Sequence, residues 1–261
     1  MRLVFRQIAI IVIVIILAST SVMAADIVTF KGTGTSVAGT PLMLTGKLTK
    51  PIGDGPFPTV VLLHGCGGIS NLRDAQWAKR LASWGYVALQ VDSFGPRGLS
   101  NVCTDVPLAF SIVPKRAQDT YDAKSYLSEL PFVDRNRIGV MGWSHGGITL
   151  LSMVGQKRDN SFRSAIAFYP LCYRNLTDLN APLLILIGEK DDWTHAWRCS
   201  ETMPPAQIGH EVILKIYPDS YHGFDAEGVD FVIAGHRIRY NQAAAADAIL
   251  QVKTFLTKYL K

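Results

Sequence analysis

Residues 142–147 read Gly-Trp-Ser-His-Gly-Gly, with a glycine two positions before and two positions after Ser144. Residues 137–141 predict the end of a buried strand, and residues 148–154 predict the start of an apolar helix. On such a turn the flanking glycines let strand and helix pass closely, so that the serine hydroxyl stands clear of the sheet. The first amides of the helix favour negative charge at the same place. Ser144 is therefore a candidate nucleophile, and a helix N-cap is its alternative role.

Further candidate catalytic groups follow later strands in the order Asp, then His. Residues 183–187 predict a buried strand, after which come Asp191 and Asp192. Residues 211–217 alternate like a strand and lead to His222, for which a surface loop histidine is the alternative. A serine hydroxyl needs an imidazole as base, and the imidazole needs a carboxylate to fix its tautomer. The order thus predicts a catalytic triad whose acid is one of the two aspartates.

An upstream loop predicts an oxyanion hole. Residues 59–64 predict a buried strand that ends at His64, and Gly-Cys-Gly-Gly follows at 65–68. This loop is of the type that offers a backbone N–H to a developing oxyanion. We expect the amides of Cys66 and His145 to hold the oxyanion, and the ring of His64 to hold the loop.

Strand and helix signals alternate along most of the chain, which predicts an α/β fold with helices on both faces of a mostly parallel sheet. The two N-terminal strands lie close in sequence and should be antiparallel. Only 13 residues separate Tyr169 from Leu183, which leaves no room for a lid domain and predicts an open, shallow pocket. The predicted strands are 28–31, 42–49, 59–64, 86–91, 137–141, 164–169, 183–187 and 211–217, and the predicted helices are 74–84, 115–130, the segment after Ser144, 194–202 and 243–260.

Taken together, these motifs resemble those of the dienelactone hydrolase family, from residue 57 to the C-terminal helix. The resemblance implies the α/β-hydrolase fold, hydrolysis of a small ester or lactone, and no cofactor. It selects Asp191, since the family's acid lies three residues after the glycine that ends the strand. The dienelactone hydrolases proper carry Cys where this chain has Ser144, so dienelactone itself is not the expected substrate. The matching motifs lie at 64–68, 92–94, 142–147, 188–194 and 222–224.

Five side chains beside these motifs are candidates for substrate binding: Phe94, Arg97, Trp143, Trp193 and Phe224. The aromatic side chains either line an apolar substrate site or pack around the strand ends. Arg97 either binds a substrate carboxylate or pairs with an aspartate. The same scaffold leaves two other functions open, a peptidase or acyl transferase and a secreted binding protein without catalysis.

The motifs predict a small-molecule ester or lactone as the partner, and the composition does not point to nucleic acid. The formal net charge of +5 becomes +3 without Arg2 and Arg6, leaving 24 basic against 21 acidic residues, and no Lys/Arg block points to nucleic acid. No pair of residues has the spacing of a metal site, and no glycine-rich phosphate loop is present. We therefore expect neither a metal nor a cofactor.

Residues 1–24 have the order of a secretory signal peptide. Arg2 and Arg6 precede an apolar run at 8–18, and small or apolar residues follow at 22–24. The run has 11 residues, fewer than the roughly 20 that span a bilayer. We expect residues 25–261 to form one α/β-hydrolase domain that is periplasmic or secreted, without stable membrane insertion. An uncleaved N-terminal anchor is the alternative.

Four cysteines in an exported chain predict two disulfides, with three possible pairings. α/β-hydrolases place the strands that precede Cys66 and Cys103 side by side, and likewise those that precede Cys172 and Cys199. The pairs Cys66–Cys103 and Cys172–Cys199 therefore join segments that leave the same edge of neighbouring strands, within reach of the roughly 5.5 Å Cα separation of a disulfide. A free, buried Cys66 with a single bridge elsewhere is the alternative.

Overall fold

The computed structural model describes residues 25–156, 158–173, 179–202 and 210–261. The predicted signal peptide at 1–24 lies outside these ranges. The strands are β1 (Asp26–Thr35), β2 (Pro41–Thr49), β3 (Phe57–Leu63), β4 (Val87–Asp92), β5 (Val133–Trp143), β6 (Ala165–Phe168), β7 (Leu183–Gly188), β8 (Val212–Tyr217), β9 (Asp230–Ile233) and β10 (His236–Arg239). The helices are α1 (Arg73–Ser83), α2 (Val106–Ser128), α3 (His145–Val154), α4 (Ala196–Thr202) and α5 (Gln242–Leu260).

Eight strands form one sheet in the order β1-β2-β4-β3-β5-β6-β7-β8. β1 and β2 are antiparallel to each other, and β2 is antiparallel to β4. All pairings from β4 to β8 are parallel. This is the mostly parallel α/β-hydrolase sheet that the sequence predicts, and its carboxyl edge collects the loops that follow β3, β5, β7 and β8.

Helices cover both faces of the sheet, which explains why its central strands are apolar almost throughout. β6 and β7 are buried along their whole length. α2 and α3 pack together on one face. On the other face the ends of α1 and α5 meet, where Nζ of Lys261 donates to the carbonyl of Trp84 at 3.0 Å.

Two features differ most from the sequence prediction. α2 begins at Val106 and runs through Pro114, whereas the predicted helix begins at Lys115. Its true start carries a cap, since the Asp105 side chain accepts from the amide of Leu108 at 3.0 Å. The second feature is an antiparallel hairpin of β9 and β10 between the loop of His222 and α5, in a region where the sequence analysis predicted no strand.

The connection from β6 to β7 is short, so no lid domain is inserted there, in agreement with the prediction. Both predicted cysteine pairs are joined: Cys66–Cys103 with a Cα–Cα distance of 4.8 Å, and Cys172–Cys199 with one of 5.0 Å. In the ranges that the structure describes, no helix is long and apolar enough to cross a bilayer.

Candidate active site

Ser144 lies on a strained turn between β5 and α3. Its backbone has φ 51° and ψ −113°, a conformation that costs a non-glycine residue free energy and persists only where packing enforces it. The packing here requires glycine on both sides. A Cβ at Gly146 would lie 2.1 Å from the carbonyl oxygen of Leu63, and one at Gly142 would lie 2.5 Å from that of Gly146. The close passage of α3 over β3 therefore holds Ser144 at the carboxyl edge of the sheet.

His222 and Asp191 form a hydrogen-bonded pair at the same edge. Nδ1 of His222 lies 2.8 Å from Oδ2 of Asp191, and both side chains are buried. Because an ionised carboxylate only accepts, the Nδ1–H group of the ring is the donor. In the neutral form of a ring with this contact, Nε2 is the nitrogen without a proton, which is the tautomer a general base needs. Ser144 and His222 line one cleft.

The carboxylate of Asp191 is held by the residues that follow it. Oδ1 accepts from the amides of Trp193 and Thr194 at 3.0 and 2.9 Å, and Oδ2 accepts from the Thr194 hydroxyl at 2.8 Å. Burial raises the pKa of Asp191, but the His222 ring and these donors lower it more, so that its pKa lies below the ordinary value. Asp191 is therefore ionised at neutral pH. The sequence analysis quoted Thr194 as part of a motif but missed its supporting role, although an Asp side chain often accepts from the backbone two residues on, as Asp191 does from Trp193.

The side chain of Asp192 points away from His222 and toward His236. Its carboxylate is half exposed, and its Oδ1 lies 3.4 Å from Nδ1 of His236 on β10. Of the two aspartates, only Asp191 contacts His222.

The loop after β3 is fixed at several points beside Ser144. Nδ1–H of His64 donates to the carbonyl of Gly65 at 2.7 Å, as expected for a residue that holds this loop. The disulfide ties Cys66 to Cys103, and the carbonyl of Cys66 accepts from the amide of Val102 at 2.8 Å. Gly65 to Gly68 line the cleft. The amide of His145 belongs to the first turn of α3, whose amides have no acceptor within the helix.

A buried cation lies beneath this loop. The guanidinium of Arg116 donates to the carbonyl of His64 at 2.7 Å and to Nδ1 of His145. Burial and the charge of Arg116 lower the pKa of His145 to about 4 and also lower the pKa of His64. Both rings are therefore neutral at pH 7. The ring of His145 thus has a structural contact of its own, in addition to the role expected of its amide.

The cleft has a volume of about 410 Å³ and is open to solvent, as the absence of a lid predicts. Of the five candidate substrate-binding side chains, Trp193 lines it. Phe94, Trp143 and Phe224 are fully buried in hydrophobic clusters, so their assignment to the substrate site is corrected to core packing. Arg97 is also corrected. Its guanidinium makes two hydrogen bonds of 2.8 Å to the buried carboxylate of Asp119.

The β9–β10 hairpin forms a wall of the cleft that the sequence analysis missed. Phe231, Ile233 and Ile238 line the cleft from this side. The connecting residues Ala234 and Gly235 both have positive φ, 52° and 84°. A two-residue turn with glycine between alternating segments is a hairpin signal, so the sequence does carry the information.

A second missed group lies behind the His222–Asp191 pair. The buried carboxylate of Asp225 accepts from Nε1 of Trp77 and of Trp143, both at 2.9 Å, and from the Tyr169 hydroxyl at 2.7 Å. The ring of Tyr169 lies 4.4 Å from the His222 ring, centroid to centroid. Burial and the neighbouring Asp225 raise the pKa of Tyr169 well above its ordinary value. Asp225 therefore holds the Tyr169 ring in place against the ring of His222.

No group of three or more His, Cys, Asp or Glu side chains is placed to bind a metal ion within the described part of the chain. The same part of the chain places the Ser144 side chain in one cleft with the ring of His222, which is hydrogen-bonded to Asp191.

Comparison with known proteins places this arrangement in a family. Residues 44–260 match the dienelactone hydrolase family. The chain is similar to a Bradyrhizobium protein named "Probable 2-oxo-3-(5-oxofuran-2-ylidene)propanoate lactonase", with 29% identity over 199 residues, which are 68% of this chain and 77% of that protein.

Two solved structures show the same fold. A dienelactone hydrolase from Anabaena variabilis has a TM-score of 0.63 and 17% identity, covering 92% of this chain and 99% of that one. An acylaminoacyl peptidase from Pyrococcus horikoshii has a TM-score of 0.66 and 19% identity, covering 92% of this chain and 42% of the peptidase.

Proposed function

The chain belongs to the dienelactone hydrolase family, and we propose that it hydrolyses small esters or lactones through an acyl-enzyme formed on Ser144. Membership makes it a hydrolase. The name of the Bradyrhizobium relative supports a lactone or ester as the bond that is cleaved. The serine, in place of the cysteine expected of dienelactone hydrolases proper, supports serine hydrolase chemistry.

The proposal rests chiefly on one observation. Ser144, at a strained turn, shares a cleft with His222, whose Nδ1 lies 2.8 Å from Asp191. This arrangement has the parts of a Ser-His-Asp triad in the chain order of α/β-hydrolases. A binding protein without catalysis has no need of a strained serine beside an oriented imidazole.

In the proposed reaction, Nε2 of His222 takes the proton of the Ser144 hydroxyl as its oxygen attacks the substrate carbonyl. The amides of Cys66 and His145 donate to the oxyanion of the tetrahedral intermediate. His222 then gives the proton to the leaving alcohol, and the acyl group stays on Ser144. Water, deprotonated by His222, releases the acid and restores the serine. Asp191 keeps the ring in its tautomer and stabilises the imidazolium.

We also propose that the chain is exported and begins near Ala25 in its mature form. The two disulfides support this location, because such bonds persist in oxidising compartments.

The experiment that tests the proposed function is labelling with a fluorophosphonate probe, combined with assays on 4-nitrophenyl acetate. We expect Ser144 to be labelled, and Ser144→Ala to lose both the label and at least about a thousandfold in kcat. Ser70→Ala is the matched control, since Ser70 lines the same cleft, and it should keep both. Labelling elsewhere, or retained turnover in Ser144→Ala, would reject Ser144 as the nucleophile.

A further inference from the structure

We propose that the β9–β10 hairpin is a subsite for an uncharged, apolar alcohol part of the ester, and that the enzyme selects such esters over anionic ones. The inference rests on the proposed function and names the substrate class for that cleft.

One face of the hairpin presents apolar side chains to the cleft. Phe231 and Ile238 are partners across the two strands, and both line the cleft together with Ile233. Phe231 leaves 51% of its surface exposed. A large apolar side chain that stays exposed beside a reactive serine offers a contact surface for an apolar ligand.

The other face of the hairpin is charged. Arg237 and Asp230 form an ion pair of 2.7 Å, and Arg239 lies 3.7 Å from the same carboxylate. Val232, between Phe231 and Ile233, is 63% exposed and does not belong to the cleft lining. Because side chains alternate along a strand, the charged side chains face solvent and the apolar ones face the cleft. His236 shares the apolar face but stacks on Trp193 at a centroid distance of 5.0 Å and does not line the cleft.

The hairpin is attached to the residue that must protonate the leaving group. His222 forms a parallel bridge with Ile238, and its carbonyl accepts from the amide of Arg239 at 3.1 Å. A Cβ at Gly223 would lie 2.6 Å from Cγ2 of Ile238, so the two segments are in close contact. Since the leaving alcohol oxygen has to reach Nε2 of His222, the rest of the alcohol extends along the hairpin.

The cleft offers little free charge to an anionic substrate. Among the described residues that line it, Arg73 is the one with a permanent charge. Its Nε and Nη2 both lie 2.8 Å from Oδ1 of Asp74, and its Nη1 lies 3.4 Å from the Tyr169 hydroxyl. The carboxylate of Asp74 therefore compensates the cation before a substrate arrives.

The test uses a pair of isomers that place one ring on opposite sides of the ester. Benzyl acetate carries the ring on the alcohol, and methyl phenylacetate carries it on the acyl group. A third ester, 4-(acetoxymethyl)benzoate, is benzyl acetate with an added carboxylate, and methyl acetate is the ester without a ring. Initial rates are measured by proton release. We expect kcat/KM for benzyl acetate to exceed that of each of the other three by about tenfold or more.

Variants of the two hairpin faces test the assignment to the hairpin. Phe231→Ala should lower kcat/KM for benzyl acetate about tenfold and leave methyl acetate within about twofold. Phe231→Lys should raise the ratio of the anionic ester to benzyl acetate. Val232→Ala and Val232→Lys are the matched controls, and they should leave the profile unchanged, with the unfolding temperature of all four variants confirming that they fold.

The outcomes separate this inference from the proposed function. If Ser144 is labelled and esters are cleaved, but the four kcat/KM values are equal or the anionic or phenylacetate ester is preferred, the subsite is rejected and the serine hydrolase stands. The same holds if the Phe231 and Val232 variants behave alike. If Ser144 is not labelled and no ester is cleaved, both proposals are rejected.

Discussion

Asp191 and Asp192 are adjacent in the chain, yet their carboxylates contact different histidines. Asp191 lies 2.8 Å from Nδ1 of His222, and Asp192 lies 3.4 Å from Nδ1 of His236. The first carboxylate is buried and accepts three further hydrogen bonds, from Trp193 and Thr194. The second is half exposed and meets a ring that is stacked on Trp193 at a centroid distance of 5.0 Å. We therefore expect a loss of charge at the two positions to affect the proposed reaction differently.

We predict that Asp191→Asn lowers kcat by about 10³–10⁴-fold, because an amide no longer fixes the tautomer of His222 or stabilises its charged form. Asp192→Asn is the matched control and should stay within about threefold of the wild type, since its carboxylate is solvated. Steady-state kinetics on 4-nitrophenyl acetate measure both. The reverse order of the two losses would shift the acid by one residue and contradict the triad proposed here.

We predict that His145, the buried histidine next to Ser144, makes the free energy of unfolding depend on pH. His145 has a pKa lowered from 6.5 to about 4 by burial and by Arg116. Above pH 6.5 neither the folded nor the unfolded state protonates it. As the pH falls below 6.5 the unfolded state binds the proton first, so stability is lost until the folded state also binds it near pH 4. At pH 5 the loss from this residue is on the order of 2 kcal/mol.

The measurement is the free energy of unfolding in urea at several values between pH 7.5 and 5. His145→Gln should be less stable at neutral pH, but its stability should fall less steeply toward pH 5. His195→Gln is the control, because His195 is exposed. Equal slopes for the wild type and His145→Gln would show that folding does not lower the pKa of this ring.

The sequence carried most of the fold because the signals that define it are local. Apolar runs on β3 and β5–β7 mark buried parallel strands, and glycines around Ser144 mark the turn at which α3 approaches β3. The pairing of cysteines followed from which strands are neighbours. The alternation of predicted strands and helices was thus enough to place the motifs at one edge of the sheet.

The parts that were not predicted depend on packing over longer distances. Trp143 is next to the candidate nucleophile, but the pleat of β5 directs its side chain into the core, where it donates to Asp225. Arg97 follows a motif strand, and only the fold brings it to Asp119. The predicted helix begins at Lys115, although α2 begins at Val106 and continues through Pro114. A position next to a motif in the sequence therefore does not determine the direction in which its side chain points.

Export of the chain is tested at its N-terminus. We predict that the mature protein begins near Ala25 and is recovered outside the cytoplasm, since residues 1–24 combine two arginines, an apolar run and small residues. N-terminal sequencing of the protein recovered from the periplasm or the medium measures this. An intact Met1 in the exported fraction would indicate a retained anchor, and recovery of the whole chain from the cytoplasm would contradict export.

We predict that removing either disulfide lowers the free energy of unfolding by a similar amount, but that the two removals affect kcat differently. The sequence separation is 37 residues for Cys66–Cys103 and 27 residues for Cys172–Cys199. From the entropy of loop closure, we expect the loss of either bridge to lower the free energy of unfolding by about 4 kcal/mol. Only the first bridge holds the loop that is expected to donate to the oxyanion. A displaced oxyanion donor costs about 10²–10³-fold in rate. Cys66→Ser/Cys103→Ser should therefore lose far more kcat than the matched control Cys172→Ser/Cys199→Ser.

Both double variants leave the other bridge intact and create no free thiol, so disulfide exchange does not confuse the comparison. Kinetics should be measured at a temperature at which urea titration shows each variant to be folded, because a loss of folded protein lowers the apparent kcat of both. Serine at 66 keeps the backbone amide, so a fall in kcat reports the position of that amide and not its removal. If both variants keep the wild-type kcat while folded, the loop does not need its covalent anchor. In that case the hydrogen bonds of His64 and of Val102 to the loop suffice to hold it.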